Sequence, residues 1–166
     1  MVDPVSDASS PVLRDGTVVA AWLFKANPEV WDIFGHIRRG APLDAWRMTP
    51  SYRVALVRPG HRAVLWITGQ RGSGHVPGVW AIGEVTGDPY EDVGDPDDPL
   101  WIDLAARGRV RPYVEIDLRP LAAPVARLDL AADPRFVGAE ILRSPRMGSP
   151  LALTGSELTA ILDRAG

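Results

Sequence analysis

At 166 residues and 18.0 kDa the chain has the size of one domain, long enough to bury its apolar surface without covalent staples. It holds no cysteine, which excludes disulfides, thiolate metal sites and cysteine nucleophiles. No apolar run approaches the ~18 residues of a membrane span, and the first residues show no leader pattern, so the expected compartment is the cytoplasm. A net charge of −3 argues against holding nucleic acid by bulk charge. The charge is uneven, however: residues 88–103 carry seven acids and no base, and outside them 18 bases face 14 acids.

In chain order, residues 1–15 read as a mobile tail, leaving a single domain over 16–166. Thr17 to Ala26 is β-branched and apolar, the pattern of a strand buried on both faces. Asn27-Pro28-Glu29 then combines an N-cap, a first-turn proline and an acid at the positive end of a dipole. Val30, Ile33, Phe34 and Ile37 follow at helical spacing and Gly40 ends the run, predicting a helix over 28–39. Trp46 to Val57 is ambiguous because Pro50 interrupts it. Strands are predicted at 62–68 and 79–86, separated by the glycine-rich loop 69–78.

The acidic stretch 88–103 contains three Asp-Pro pairs and reads as a solvated, irregular loop. Arg109 to Arg119 alternates like a half-buried antiparallel strand, with Pro112 placing its start on an edge. Thr154-Gly155-Ser156-Glu157 is a capping box that opens a last helix over 155–164. Strands that do not alternate with helices indicate an α+β, barrel-like domain rather than a βαβ sheet.

No catalytic constellation appears. His36, His61 and His75 are scattered without the spacing that puts two imidazoles on one face for a metal, and His61 and His75 read as exposed turn residues. Gly72 to Gly78 lacks the lysine and glycine positions of a phosphate loop; beside Arg71 it reads as a flexible hairpin. The unusual feature is tryptophan: six, against three Phe and three Tyr. Two or three indoles converging on a cavity sandwich a flat ring or a cation.

Three segments together resemble the EVE domain family. Trp22-Leu-Phe-Lys-Ala-Asn-Pro-Glu-Val-Trp-Asp-Ile is similar to its opening strand and Asn-Pro step. Ala63-Val-Leu-Trp-Ile-Thr-Gly followed by Gly78-Val-Trp-Ala-Ile-Gly-Glu-Val is similar to its central hairpin. Ile141 to Thr154 is similar to its closing segment. The likeness spans about 18–162. It departs at Gly60-His61, where the family often has Gly-Asp, and at 88–103, which looks like an insertion.

The resemblance implies a small PUA-like twisted β-barrel with flanking helices, related to YTH and ASCH domains. It also implies a pocket for a modified base swung out of DNA or RNA. Carried onto this chain, the pocket comprises Trp66, Gly69, Trp22 and Asn27, with Trp46, Gly148 and Ser149 as further candidates. Arg107, Arg109, Arg111, Arg143 and Arg146 are the expected phosphate contacts. The expected protein is a non-enzymatic reader with no cofactor or metal, and its output passes to a separately encoded effector. Two rivals are an ASCH-type ribonuclease or hydrolase using Lys25 or Glu84, and a protein-interaction module with a plain tryptophan core.

Overall fold

The computed structural model describes residues 9–69 and 72–166. Arg71 and the first half of the expected tail therefore lie outside the described residues. The rest of that tail is ordered: Val12 bridges Val18, and Leu13 is buried in the core.

The architecture is α+β, a twisted mixed sheet of seven strands. Its strands are β1 (Ala21–Ala26), β2 (Leu43–Arg47), β3 (Arg62–Ile67), β4 (Gly78–Val85), β5 (Tyr90–Asp92), β6 (Arg111–Ala126) and β7 (Leu151–Leu153). They run in the order β2-β6-β4-β3-β1-β7, with β5 continuing the edge of β6 beyond β4. Only β1 and β3 are parallel. Among the described residues, five helices, α1 (Ile33–Arg38), α2 (Leu104–Arg107), α3 (Arg127–Ala131), α4 (Glu140–Arg143) and α5 (Gly155–Ala165), flank it, together with a 3-10 turn at Tyr52–Leu56.

The twisted α+β sheet is the expected one, but it does not close into the β-barrel that the resemblance implied. Its two end strands, β2 and β7, approach without forming a ladder. Thr49 N donates to Ser149 O at 2.8 Å. The next residue on each side is a proline, Pro50 and Pro150, and neither has an amide to extend the ladder.

Both faces of the central strands are buried. Trp22, Phe24, Leu65 and Ile67 project into one core, which takes in Ile33 of α1. Leu23, Val64 and Trp66 project into the other, covered by Phe136, Ile141 of α4, and Leu158 and Ile161 of α5. On β4 a bulge between Val79 and Ala81 breaks the strict alternation: Val79 joins the second core, while Ala81 and Val85 join the first. The G-x-x-A-x-G-x-V pattern has a packing cause. A Cβ on Gly83 would strike the Asp117 carbonyl of β6, and one on Gly78, held at φ +148°, would strike that of Val125.

Two elements differ from expectation. The helix over 28–39 shrinks to α1. Asn27 caps only a single turn, accepting from Glu29 N at 3.0 Å, and Asp32 caps the true helix through Gly35 N at 2.9 Å. The cause is non-local. Residues 30–32 pair with 100–103: Trp31 bridges Trp101, Asp32 N donates to Leu100 O, and Ile102 N donates to Val30 O. By the same contacts the acidic stretch is not a wholly irregular, solvated loop, although all of its acids except Asp98 are exposed. It supplies β5, buries Leu100 and docks against the start of α1.

Candidate functional site

A cavity of about 630 Å³ opens where the sheet fails to close. The C-terminal end of β1, strand β2, the start of β6, the turn before α1, the acidic stretch and the Gly148-Ser149 step all contribute to its wall. Its volume falls in the range of small-molecule sites, ~300–1,000 Å³.

Three of the six tryptophans line it: Trp31, Trp46 and Trp101. Trp31 and Trp46 meet edge to face, centroids 5.8 Å apart at 82°. Each indole N–H is fixed: Trp46 Nε1 donates to Lys25 O at 3.1 Å, and Trp31 Nε1 to Asp98 Oδ2 at 2.9 Å. Trp101 carries the Arg47 guanidinium 5.5 Å from its ring centroid. Opposite partners on β5 and β6, Tyr90 and Tyr113, stack at 6.1 Å and complete an aromatic lining. The Tyr113 hydroxyl is buried and has no hydrogen-bond partner among the described residues. Burial is the main force pushing its pKa up, so it remains protonated at neutral pH.

Lys25 also borders the cavity, but its ammonium is engaged: Nζ donates to Pro145 O at 2.6 Å and Met147 O at 2.9 Å. Burial lowers its pKa. Ser149 Oγ accepts from Lys25 N at 2.8 Å, so β1 and the closing turn are tied twice. Gly148 leaves room for Thr49, whose Cβ would stand 2.7 Å from a Cβ added there.

Of the residues expected in the pocket, Asn27, Trp46, Gly148 and Ser149 line this cavity. Trp66 does not. It is 3 % exposed and lies parallel to Phe136 at 6.2 Å in the second core, on the far face of the sheet. Gly69 is also elsewhere: it packs under His75, whose Nε2 lies 2.7 Å from Thr68 O and whose ring meets Phe34. Trp22 is fully buried in the first core and donates from Nε1 to His61 Nδ1 at 3.2 Å. His61 is accordingly a buried acceptor rather than an exposed turn residue; its Nδ1 also accepts from Arg58 N at 3.1 Å.

Among the arginines, Arg111 lines the cavity. Arg109, exposed, meets the same rim by accepting from Arg47 at its carbonyl. Arg146 is exposed in the turn that Lys25 clasps. Arg107 is drawn toward the acidic stretch, where its carbonyl accepts from Gly94 N and its guanidinium reaches Pro96 O. Arg143 donates to Gly138 O in the α4 region.

The residues that sequence reasoning missed are Trp31, Trp101, Asp98, Tyr90 and Tyr113. Trp31 read as a helix residue, and the other four fall in the acidic stretch or on a strand whose partner was unknown. The one available signal was Trp101 itself, a large aromatic inside an otherwise polar segment.

An open α+β sheet with an aromatic cavity at its seam is the class this geometry defines. The EVE domain family model matches residues 20–163, and the chain belongs to that family. Among solved structures it is similar to Rpa0253 from Rhodopseudomonas palustris, at 24 % identity and a TM-score of 0.57, over 89 % of this chain and 94 % of that one. A Pseudomonas putida protein gives 16 % identity and a TM-score of 0.62, over 89 % of this chain and 100 % of that one. Human THYN1, solved in complex with DNA containing 5-methylcytosine, gives 15 % and 0.53, over 87 % of this chain and 96 % of that one. At these identities the likeness is one of fold. No curated protein matches the sequence.

Proposed function

We propose that this protein is a cytoplasmic reader of modified DNA that holds one base, turned out of the stack, in the seam cavity. The observation that carries the reading is the Trp31–Trp46 pair. Two indoles from different elements, each locked by its own hydrogen bond, line a cavity of the right size for a base. Locked aromatics give a stacking surface that needs no reorganisation when the base arrives. The similarity to THYN1, solved with 5-methylcytosine DNA, favours DNA over RNA and a modified pyrimidine as the first base to test. Arg109, Arg111 and Arg146, around the same opening, are the phosphate contacts in this reading.

Binding rather than catalysis fits the polar groups. The Lys25 ammonium is occupied by two carbonyls, and Glu84 is exposed on β4 away from the cavity lining. A domain that only binds passes its output to a separate effector.

The test is binding of a fluorescein-labelled oligonucleotide carrying one 5-methylcytosine, measured by anisotropy. Trp46→Ala and Trp101→Ala should each weaken binding roughly tenfold to a hundredfold, since stacking on one base is worth about 1–3 kcal/mol. Melting of each variant confirms that it is folded. Undiminished affinity in both folded variants would move the site elsewhere, and cleavage of RNA by the parent but not by Lys25→Ala would make the protein an enzyme.

A further inference from the structure

The seam cavity has one polar group held as rigidly as its indoles. Asp98 is half-buried; its Oδ1 accepts from Leu100 N at 2.9 Å and its Oδ2 from Trp31 Nε1 at 2.9 Å. Both oxygens are therefore oriented, and each carboxylate oxygen keeps a second lone pair. An ionised carboxylate only accepts. The other acids on the cavity wall, Asp44, Asp92 and Asp95, are exposed, and only Asp98 is bonded to an indole of the aromatic pair. Among the described residues no cation on the wall forms an ion pair with it: Lys25 is held by two carbonyls, Arg47 lies over Trp101, Arg111 donates to Val110 O, and Arg39 makes no salt bridge to it.

From this placement we infer that Asp98 reads the exocyclic amino group of the bound base, selecting amino-bearing bases over those with a carbonyl at the same position. The inference rests on the base-reading function proposed above. An acceptor at the edge of a stacking platform takes the N–H of cytosine N4, the pairing known for acids on base edges, or that of adenine N6. The O4 of thymine or uracil would face it lone pair to lone pair. Such a mismatch leaves a buried polar group without a partner and is strongly rejected. The unpartnered Tyr113 hydroxyl, on the same wall and protonated, supplies a donor for a ring nitrogen or carbonyl of the same base. The selectivity thus sits on the acidic stretch, the segment that looked like an insertion.

The experiment compares parent and Asp98→Asn on a set of oligonucleotides identical except at one unpaired position: 5-methylcytosine, cytosine, N6-methyladenine, adenine, thymine or uracil. Asparagine keeps one acceptor oxygen, so one of the bonds from Leu100 N and Trp31 Nε1 is lost and its NH2 offers a donor to the base; it should welcome O4 and repel N4. The parent should bind 5-methylcytosine or an adenine at least tenfold tighter than thymine; whichever is tighter identifies the amino base. In Asp98→Asn that ratio should fall to near one or invert, with melting confirming the fold. A parent that binds thymine as tightly as 5-methylcytosine and the adenines overturns the role of Asp98, as does a variant that weakens all bases equally. If the parent binds none of the oligonucleotides, the base-reading function itself fails. Asp98→Glu distinguishes a lost carboxylate from a disturbed Trp31: retained selectivity there, with selectivity lost in Asp98→Asn, supports the role.

Discussion

Trp66 and Trp46 show how two residues of one type acquire different work. Both stand on strands, near a strand end, with a glycine (Gly69) or a proline (Pro50) a few residues on. Trp46 lies on an end strand, so its ring reaches the seam while its indole N–H bonds Lys25 O across the gap. Trp66 lies on β3, between β1 and β4, where both faces are covered, and its ring stacks on Phe136. Alternation along the strand placed Trp66 on a face; it carried no information on which face held a cavity. Trp66→Ala is therefore expected to cost about 3–5 kcal/mol of stability, the usual range for a buried Trp. Below its lowered melting temperature, the variant should bind DNA as the parent does. Equilibrium unfolding in denaturant, set beside an anisotropy titration, checks both halves. A loss of affinity without loss of stability would return Trp66 to the site.

The elements that the sequence disclosed best are those whose cause is local. α5 starts at its capping box: Glu157 N donates to Thr154 Oγ1 and Thr154 N to Glu157 Oε1. Strands β1, β3 and β4 begin and end within a few residues of their apolar patterns because buried central strands need those residues. The start of α1 and the acidic stretch were opaque for the opposite reason. Their conformations depend on each other, through the pairing of 30–32 with 100–103 across some seventy residues. A strong local helix signal at Asn27-Pro28-Glu29 lost to that pairing.

A prediction follows for the segment. Replacing Glu91–Asp98 by a Gly-Ser linker removes the Trp31–Asp98 bond and most of β5, and frees the docked Leu100. A loss of roughly 1–3 kcal/mol from these contacts should lower the melting temperature by about 3–10 °C. It should also abolish base selectivity. An unchanged melting curve would mean that the stretch rests on the protein without stabilising it.

For the molecule as a whole, His61 and Glu140 are two of the buried ionisable groups that set the response to acid, with Asp133, whose carboxyl Arg135 and Arg164 hold well below the usual carboxylate range, acting at lower pH still. His61 Nδ1 accepts from Trp22 and Arg58, and burial, with Arg58 nearby, lowers its pKa. Its unfolded value is near ~6.5, so this contribution is complete above that pH and declines as pH falls through the folded value. Burial pushes the Glu140 carboxyl up, but the bidentate Arg53 pair at 2.6 and 2.8 Å and the Ala152 amide outweigh it, leaving its pKa lowered. Its contribution is present above an unfolded value of ~4.3 and declines below it. Both act in the same direction. Melting temperature should fall as pH drops from 7 to 5, and fall further toward pH 4. His61→Gln should flatten the first part and spare the second. A parent whose melting temperature is level from pH 7 to 5 would show that His61 carries no proton-linked stability.

The division of the tryptophans among three environments gives the protein an internal optical reference. Trp31, Trp46 and Trp101 border the cavity, Trp22 and Trp66 are sealed in separate cores, and Trp80 lies against Phe34 under the hairpin. A base entering the seam meets only the first three indoles, so quenching should saturate well short of complete. The residual emission should have the blue-shifted spectrum of buried rings. Unfolding exposes all six and shifts the whole band to the red. Occupancy and integrity are thus separable in the emission of an unlabelled sample.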